Sequence, residues 1–505
     1  MDQELQLQLR KNKFVFRCDR RGAREFLRAM EKVTDKENPD HSANAGTSWP
    51  ASKDQPDENE TEAEASTATA AAAAEAGPAA EGNATQGAGG EGGGKGQDVE
   101  KDEEGIKSLL EGVALREFKG MVDFEGKVYV APLTTVGNLP FRRIMKDYKA
   151  DITCGEMALA PSLLSGANAE WALMRRHPCE DIFGVQVAGG HADQLTRAAE
   201  LVEKTCKVDF VDLNLGCPID LVTNRGAGSA LMTRRRKLKA ILQGVGSTLS
   251  CPITVKMRTG WDDKKPMAHQ VVRVVQREAA REWAAGGRVA AVMVHGRSRQ
   301  QRYTKRADWD YIRTLTDAQD EALPKLPVIG NGDILSWRDH QEQLDKGGGI
   351  STCCMLARGA LIKPWLPTEV KEKRDWDISA SERLDILRKF VAYGLEHWGS
   401  DTKGVNNTRR FLLEWLSFLH RYIPVGIMEV LPQRINQKPR PYVGRNDLET
   451  LMASPNASDW VKLSEMVLGK VPDGFLFQPK HKANSYAPPA AEAFTGDDSI
   501  KLASG

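Results

Sequence analysis

Between about residues 121 and 370, short apolar runs recur at near-regular intervals, and each is followed by a helical stretch. The runs fall at 128–131, 152–154, 182–187, 210–213, 253–255, 290–294, 327–329 and 352–355, while intervening segments such as 194–205 and 267–284 carry helical periodicity. Strands separated by helices are joined as parallel βαβ units, because a crossover helix is what returns the chain to the same end of a sheet. Eight such units predict an α/β fold, a (β/α)8 TIM barrel over 120–372, with an open doubly wound sheet as the competing arrangement. In a barrel the chemistry sits just after the strand ends, so those positions are where unusual residues carry information.

The flanks differ from this region in composition. Across 51–105, Val99 is the only residue among Val, Ile, Leu, Met, Phe, Trp and Tyr, and Ala-rich (Ala70–Ala74) and Gly-rich (Gly87–Gly94) runs fill much of the rest. Such a segment buries too little apolar surface to offset the entropy of ordering it, so 36–105 is predicted to be a disordered acidic linker. Before it, 1–35 forms a short basic amphipathic stretch, set apart from the rest. After the barrel, 378–470 shows helical periodicity without strand signals and reads as an all-α domain, followed by a tail at 471–505. Residues 51–105 hold 14 acidic residues against three lysines, which leaves +12 on the rest of a chain whose net charge is +1. A basic folded body suits a polyanionic partner. No run approaches the length of a membrane span, and the acidic, polar start argues against a secretory or mitochondrial leader. The eight cysteines contain no C-x-x-C pair, so free thiols in a reducing compartment, cytoplasmic or nuclear, are expected and no metal site is.

Several strand ends carry polar residues with a chemical reading. The first run leads into Ala131-Pro-Leu-Thr-Thr, a Pro-containing turn where backbone groups can meet a planar ligand. The third ends near Gln186, whose amide offers a donor and an acceptor to an imide-containing ring. The fourth ends Asn214-Leu-Gly-Cys-Pro, which places Cys217 on a turn between Gly216 and Pro218 rather than in a core. Lys256 and Arg258 close the fifth, two residues apart and therefore on one face of a strand. The sixth ends at His295, followed by Arg297, Arg299, Arg302 and Tyr303, a pattern suited to reading a ring or a phosphate. The seventh and eighth end in Asn331-Gly-Asp333 and Ala357-Arg-Gly, where barrels commonly build a phosphate site. Together these imply a phosphorylated planar cofactor with Lys256 near its ring and Cys217 facing it, for which flavin mononucleotide is the economical reading.

These motifs resemble the tRNA-dihydrouridine synthases. The resemblance covers about 120–470 and is carried by Asn214-Leu-Gly-Cys-Pro-Ile-Asp-Leu-Val, Val255-Lys-Met-Arg-Thr-Gly, His295-Gly-Arg-Ser-Arg, Gly330-Asn-Gly-Asp and Ala357-Arg-Gly-Ala. Leu395-Glu-His-Trp-Gly-Ser-Asp and Phe411-Leu-Leu-Glu-Trp-Leu-Ser-Phe-Leu place it nearest the eukaryotic synthase 3 group. Members of that group usually carry CCCH zinc fingers before the barrel, whereas here Cys18 is the only cysteine before Cys154.

The resemblance implies an FMN barrel, a helical RNA-binding domain and reduction of uridine at position 47 of tRNA, with NADPH as reductant. It implies that Pro132, Leu133, Thr134, Gln186, Lys256 and His295 touch the flavin, and that Asn331, Gly332, Asp333, Ala357 and Arg358 lie on its phosphate side. Cys217 becomes the proton donor to uracil C5, opposite hydride delivery from flavin N5 to C6. Asn214, Arg258 and Arg297 are expected on the substrate side, with Arg409 and Arg410 of the helical domain against the RNA. A monomer acting on tRNA, with mRNA as a further candidate substrate, is the expected form. A flavin barrel acting on a free pyrimidine and a non-catalytic RNA-binding protein are the rival readings. The basic helical domain weighs against the first, and the intact Cys217, Lys256 and His295 weigh against the second.

Overall fold

The computed structural model describes residues 3–16, 118–280, 288–346, 350–437, 439 and 441–480. The predicted linker 36–105 and the end of the tail lie outside the described residues. Nine strands form one sheet: β1 (Tyr129–Val130), β2 (Ile152–Cys154), β3 (Ala158–Leu159), β4 (Ile182–Ala188), β5 (Phe210–Leu215), β6 (Ile253–Arg258), β7 (Val289–His295), β8 (Val328–Asn331) and β9 (Ile350–Leu356). Neighbours run in the order β2-β1-β9-β8-β7-β6-β5-β4, and a parallel pairing of β2 with β4 closes the ring. The result is an eight-stranded parallel barrel, and the open sheet is excluded. β3 is an addition the sequence did not announce, pairing Ala158 with Val187 and Leu159 with Ala188 at the end of β4.

The strands alternate, and the two faces meet different surroundings. On β5, Val211, Leu213 and Leu215 join the apolar layer under the helices, while Phe210 turns into the barrel. Ile253, Val255 and Met257 of β6 likewise join the outer layer, which puts Thr254, Lys256 and Arg258 on the inner face. The lower half of the interior is filled by Phe124, Tyr129 and Phe210, whose ring centroids lie 6.0–6.2 Å apart, with Met293, Ile329, Cys353 and Met355 beside them. Polar inward-facing residues are therefore confined to the upper half, where the strands end.

The helices after the barrel share its core instead of forming a separate one. Ser379 and Glu382 make a capping box that starts the helix Ala380–Trp398, and Asp401 caps Thr402–Leu419 by accepting from the Gly404 N–H at 2.9 Å. Trp415 is fully buried, donates its indole N–H to the Leu361 carbonyl at 3.0 Å and meets the Phe141 ring edge-on at 5.4 Å. One apolar cluster thus runs from the barrel's outer layer into these helices. Residues 3–16 are not set apart either. Leu9 and Phe16 are buried, the Gln6 amide donates to the Gly166 carbonyl at 3.0 Å, and Arg197 lies 4.1 Å over the Phe16 ring. No helix among the described residues is long and apolar enough to cross a membrane.

Candidate functional site

A cleft open to solvent lies at the C-terminal ends of the strands. It is lined by residues from every strand end of the predicted set, including Pro132–Thr134, Gln186, Asn214, Cys217, Lys256, Arg258, His295, Arg297, Asn331–Asp333, Ala357 and Arg358. The structure brings all of these together. Arg409 and Arg410 are not among them.

On the β4–β6 side, hydrogen bonds run in series. Asp212, fully buried, accepts from the Thr254 hydroxyl at 2.7 Å and from the Gln186 amide at 2.6 Å. The Gln186 carbonyl oxygen accepts from the Asn214 amide at 2.8 Å, and Asn214 Oδ1 accepts from the backbone N–H groups of Gly216 (3.1 Å) and Cys217 (2.9 Å). Arg258 clamps the same turn from the other side, donating to the carbonyls of Gly216 at 2.8 Å and Ser298 at 3.0 Å. The turn needs glycine at 228, where φ is +58° and a Cβ would stand 2.7 Å from the Cys217 carbonyl oxygen. The half-buried Cys217 thiol is thus delivered to the cleft by a turn fixed on both sides.

On the β7–β9 side the contacts are charged. Arg297, with no exposed side chain, makes two bonds of 2.8 Å from one nitrogen to both oxygens of Asp333, and donates to the Lys305 carbonyl at 2.6 Å. Asp333 also accepts from the Ala307 N–H at 2.7 Å and lies 3.5 Å from Arg358. Arg297 Nη1 stands 3.3 Å from His295 Nε2; as a guanidinium can only donate, Nε2 is the acceptor and the imidazole proton sits on Nδ1. Burial, with Arg258, Arg297, Lys256 and Arg358 around it, pushes the His295 pKa well below its usual value, so the ring is neutral. Asn331 donates to the Met355 carbonyl at 2.9 Å, tying β8 to β9 under the cleft.

Four of the predicted roles change. Arg409 is 3% exposed and donates to Ser464 Oγ at 2.8 Å and to the carbonyls of Leu468 and Gly469 at 3.2 and 2.8 Å; it holds two helices together and does not face RNA, whereas Arg410 is exposed. Arg297, expected on the substrate side, is engaged with Asp333 on the charged side. The Asp333 carboxylate, being anionic, serves an anion only through the arginines it aligns. Asn214 spends its carbonyl oxygen on the Cys217 turn, so its role includes building the site.

Sequence reasoning missed Asp212, Thr254 and Glu156. Glu156 accepts from the Thr135 N–H at 2.6 Å, securing the loop after β1 where Thr135 has φ +71°, and burial pushes its pKa up to about 7. A signal for Asp212 and Thr254 was present: each is a polar residue at an inward position of a strand whose other face is apolar. Met157, Phe418 and Ile435 also line the cleft. Phe418 lies in a quoted motif, but nothing in the sequence marks Ile435, which reaches the cleft from the irregular segment after the helix Thr402–Leu419.

The donor set fits a phosphorylated flavin. The lining offers Lys256, Arg258, Arg297 and Arg358 against one lining carboxylate, Asp333, with an apolar wall of Ala131, Pro132 and Met157. Gly359 lies so close under the Ile334 carbonyl that a Cβ would fill the space, keeping backbone at the cleft edge beside Arg358. The parallel eight-stranded barrel carries a thiol and a cluster of cations at its mouth; over residues 129–419 the chain matches the dihydrouridine synthase (Dus) family, and it belongs to that family.

Within it, the chain is 57% identical over 369 residues to the "tRNA-dihydrouridine(47) synthase [NAD(P)(+)]-like" protein of Rattus norvegicus, covering 73% of this chain and 55% of that one. The Homo sapiens protein of the same description is 57% identical over 368 residues, covering 73% and 54%. The "tRNA-dihydrouridine(47) synthase [NAD(P)(+)]" of Cryptococcus neoformans is 55% identical over 381 residues, covering 73% and 51%. The chain spans about half the length of these relatives.

Proposed function

We propose that the protein reduces uridine to 5,6-dihydrouridine in tRNA, at position 47, with FMN held in the barrel cleft and NADPH as reductant. The observation that carries this reading is the Cys217 turn, fixed by Asn214 and Arg258 at a cleft that Lys256 and His295 also line, in a chain 57% identical to the proteins so described. The bound flavin supplies the hydride for uracil C6. The chain's own residues do the rest. Lys256 on the inner face of β6 places positive charge in the cleft, where a reduced ring gains negative charge. Neutral His295 presents an Nδ1–H donor, and the β1 loop of Pro132–Thr134 forms one wall. Cys217 holds the proton that passes from Sγ to C5, leaving a thiolate that water reprotonates. The base must leave its stack to reach this depth, and Arg225, Lys265, Arg302 and Arg306, exposed on the loops around the mouth, suit the RNA backbone.

The test is direct. The purified protein should be yellow, be bleached by NADPH, and install dihydrouridine at position 47 of tRNA transcribed without modifications, as mapped by nuclease digestion and mass spectrometry. Dihydrouridine at a different tRNA position would overturn the site choice. Reduction of free uracil at a comparable rate would favour the free-pyrimidine reading.

A further inference from the structure

We propose that Asp212 is a positioning residue of the active site, which from the barrel core sets the orientation of the Gln186 amide and, through Asn214, the placement of the Cys217 turn. An amide side chain has two orientations of similar shape, differing by a flip that exchanges oxygen and nitrogen. The Asp212 carboxylate, acceptor-only when ionised, admits only the Gln186 nitrogen, at 2.6 Å. The Gln186 oxygen must then face away and accept from Asn214 Nδ2 at 2.8 Å. That choice turns Asn214 Oδ1 toward the backbone N–H groups of Gly216 and Cys217. One buried group thus fixes the polarity of three residues in series, ending at the turn that carries Cys217.

The site of this carboxylate argues for a purpose. Asp212 has no solvent exposure and sits between Phe210 below and Asn214 above on the same face of β5, where an apolar residue would pack without desolvation cost. It accepts hydrogen bonds from Thr254 Oγ1 and Gln186 Nε2, and the second of these residues lines the cleft. Burial pushes its pKa up to about 6, with the Gln186 and Thr254 hydrogen bonds and the charge of Lys256 pulling it down.

One of the two readouts rests on the flavin reading and the other does not. Asp212→Ala, Asp212→Asn and wild type are compared for the FMN dissociation constant, by fluorescence, and for the rate of Cys217 alkylation by iodoacetamide in the flavin-free protein, read on the Cys217 peptide. Asparagine can offer Oδ1 to Gln186 while its nitrogen donates to the Thr254 oxygen, so it preserves the polarity of the series. Asp212→Ala should weaken FMN binding about tenfold and change the alkylation rate by about threefold or more, the scale of one or two lost anchoring hydrogen bonds. Asp212→Asn should stay within about twofold of wild type in both, because both bonds survive. Wild-type values in Asp212→Ala, or equal damage in Asp212→Asn and Asp212→Ala, would overturn the proposal. If Asp212→Ala does not fold, Thr254→Val, which removes one of the two donors and keeps the volume, should shift both readouts the same way by a smaller amount; no shift overturns the proposal. If wild type binds no FMN, the flavin reading fails and the alkylation rate alone decides the series.

Discussion

The two sides of the cleft are built from different materials. On the β4–β6 side, directional bonds among Asp212, Gln186, Asn214 and two backbone N–H groups fix where Cys217 stands. On the β7–β9 side, Arg297, Asp333 and Arg358 form a charged cluster beside neutral His295. A reacting group must be placed to a fraction of an ångström, which hydrogen bonds of defined direction achieve. An anion needs charge held against its own repulsion, and Asp333 does this by keeping two arginines close together. The rim thus carries a hydrogen-bonded arc around Cys217 and a charged arc around Asp333.

The largest effect expected of that separation is on turnover. Cys217→Ala should lower dihydrouridine formation by about 10²–10⁴-fold, the range for a positioned proton donor, while flavin content stays at the wild-type level. A colourless Cys217→Ala protein would show that the two arcs are not separate. The converse change is Asp333→Ala, which leaves the fully buried Arg297 without its carboxylate and should cost about 3–5 kcal/mol of stability, measured by denaturant unfolding. If that variant unfolds at the wild-type midpoint, the cluster is not a structural clamp.

A third prediction sharpens the boundary between the arcs, at the β1 loop. Glu156 has a folded-state pKa raised from 4.5 to about 7, so the native state holds its proton over a range where the unfolded chain has released it. Its contribution is present below pH 4.5 and is lost as pH rises through about 7. Glu156→Gln keeps the acceptor for Thr135 without the charge. Its melting temperature should therefore gain on wild type as pH rises across this window, by up to about 3 kcal/mol in stability. A constant difference between the two across that window would show that Glu156 does not titrate there. The smallest effect separates neighbours on the helix Thr402–Leu419. Arg409→Ala should destabilise the fold by about 1–3 kcal/mol, through its lost bonds to Ser464, Leu468 and Gly469. Arg410→Ala should leave the melting temperature alone and raise the Michaelis constant for tRNA with a flatter salt dependence. Equal thermal losses in both would break the contrast.

The barrel was legible because its evidence is local. Each apolar run and each following helix is written in consecutive residues, and the strand-end rule then pointed to Gln186, Cys217, Lys256, His295 and Arg358 without any contact being known. Arg409 and Arg410 show where that logic ends. Adjacent in sequence and identical in type, they differ because a helix turns about 100° per residue, so one meets the helix Ala457–Leu468 and the other faces solvent. Which of the two is buried depends on a partner 55 residues away.

By itself, then, the amino-acid sequence determined the alternation of strands and helices, the outward apolar face of each strand, and the residue types at the strand ends. Closure through β2 and β4, the docking of the N-terminal segment under Arg197, and the division of polar residues into a hydrogen-bonded arc and a charged arc were decided only in three dimensions. The physical reason is that hydrogen-bond direction and ion pairing are properties of pairs. Asp212 and Asp333 are the same residue in the sequence; one aligns an amide and the other gathers arginines because of what the barrel brings within 3 Å of each.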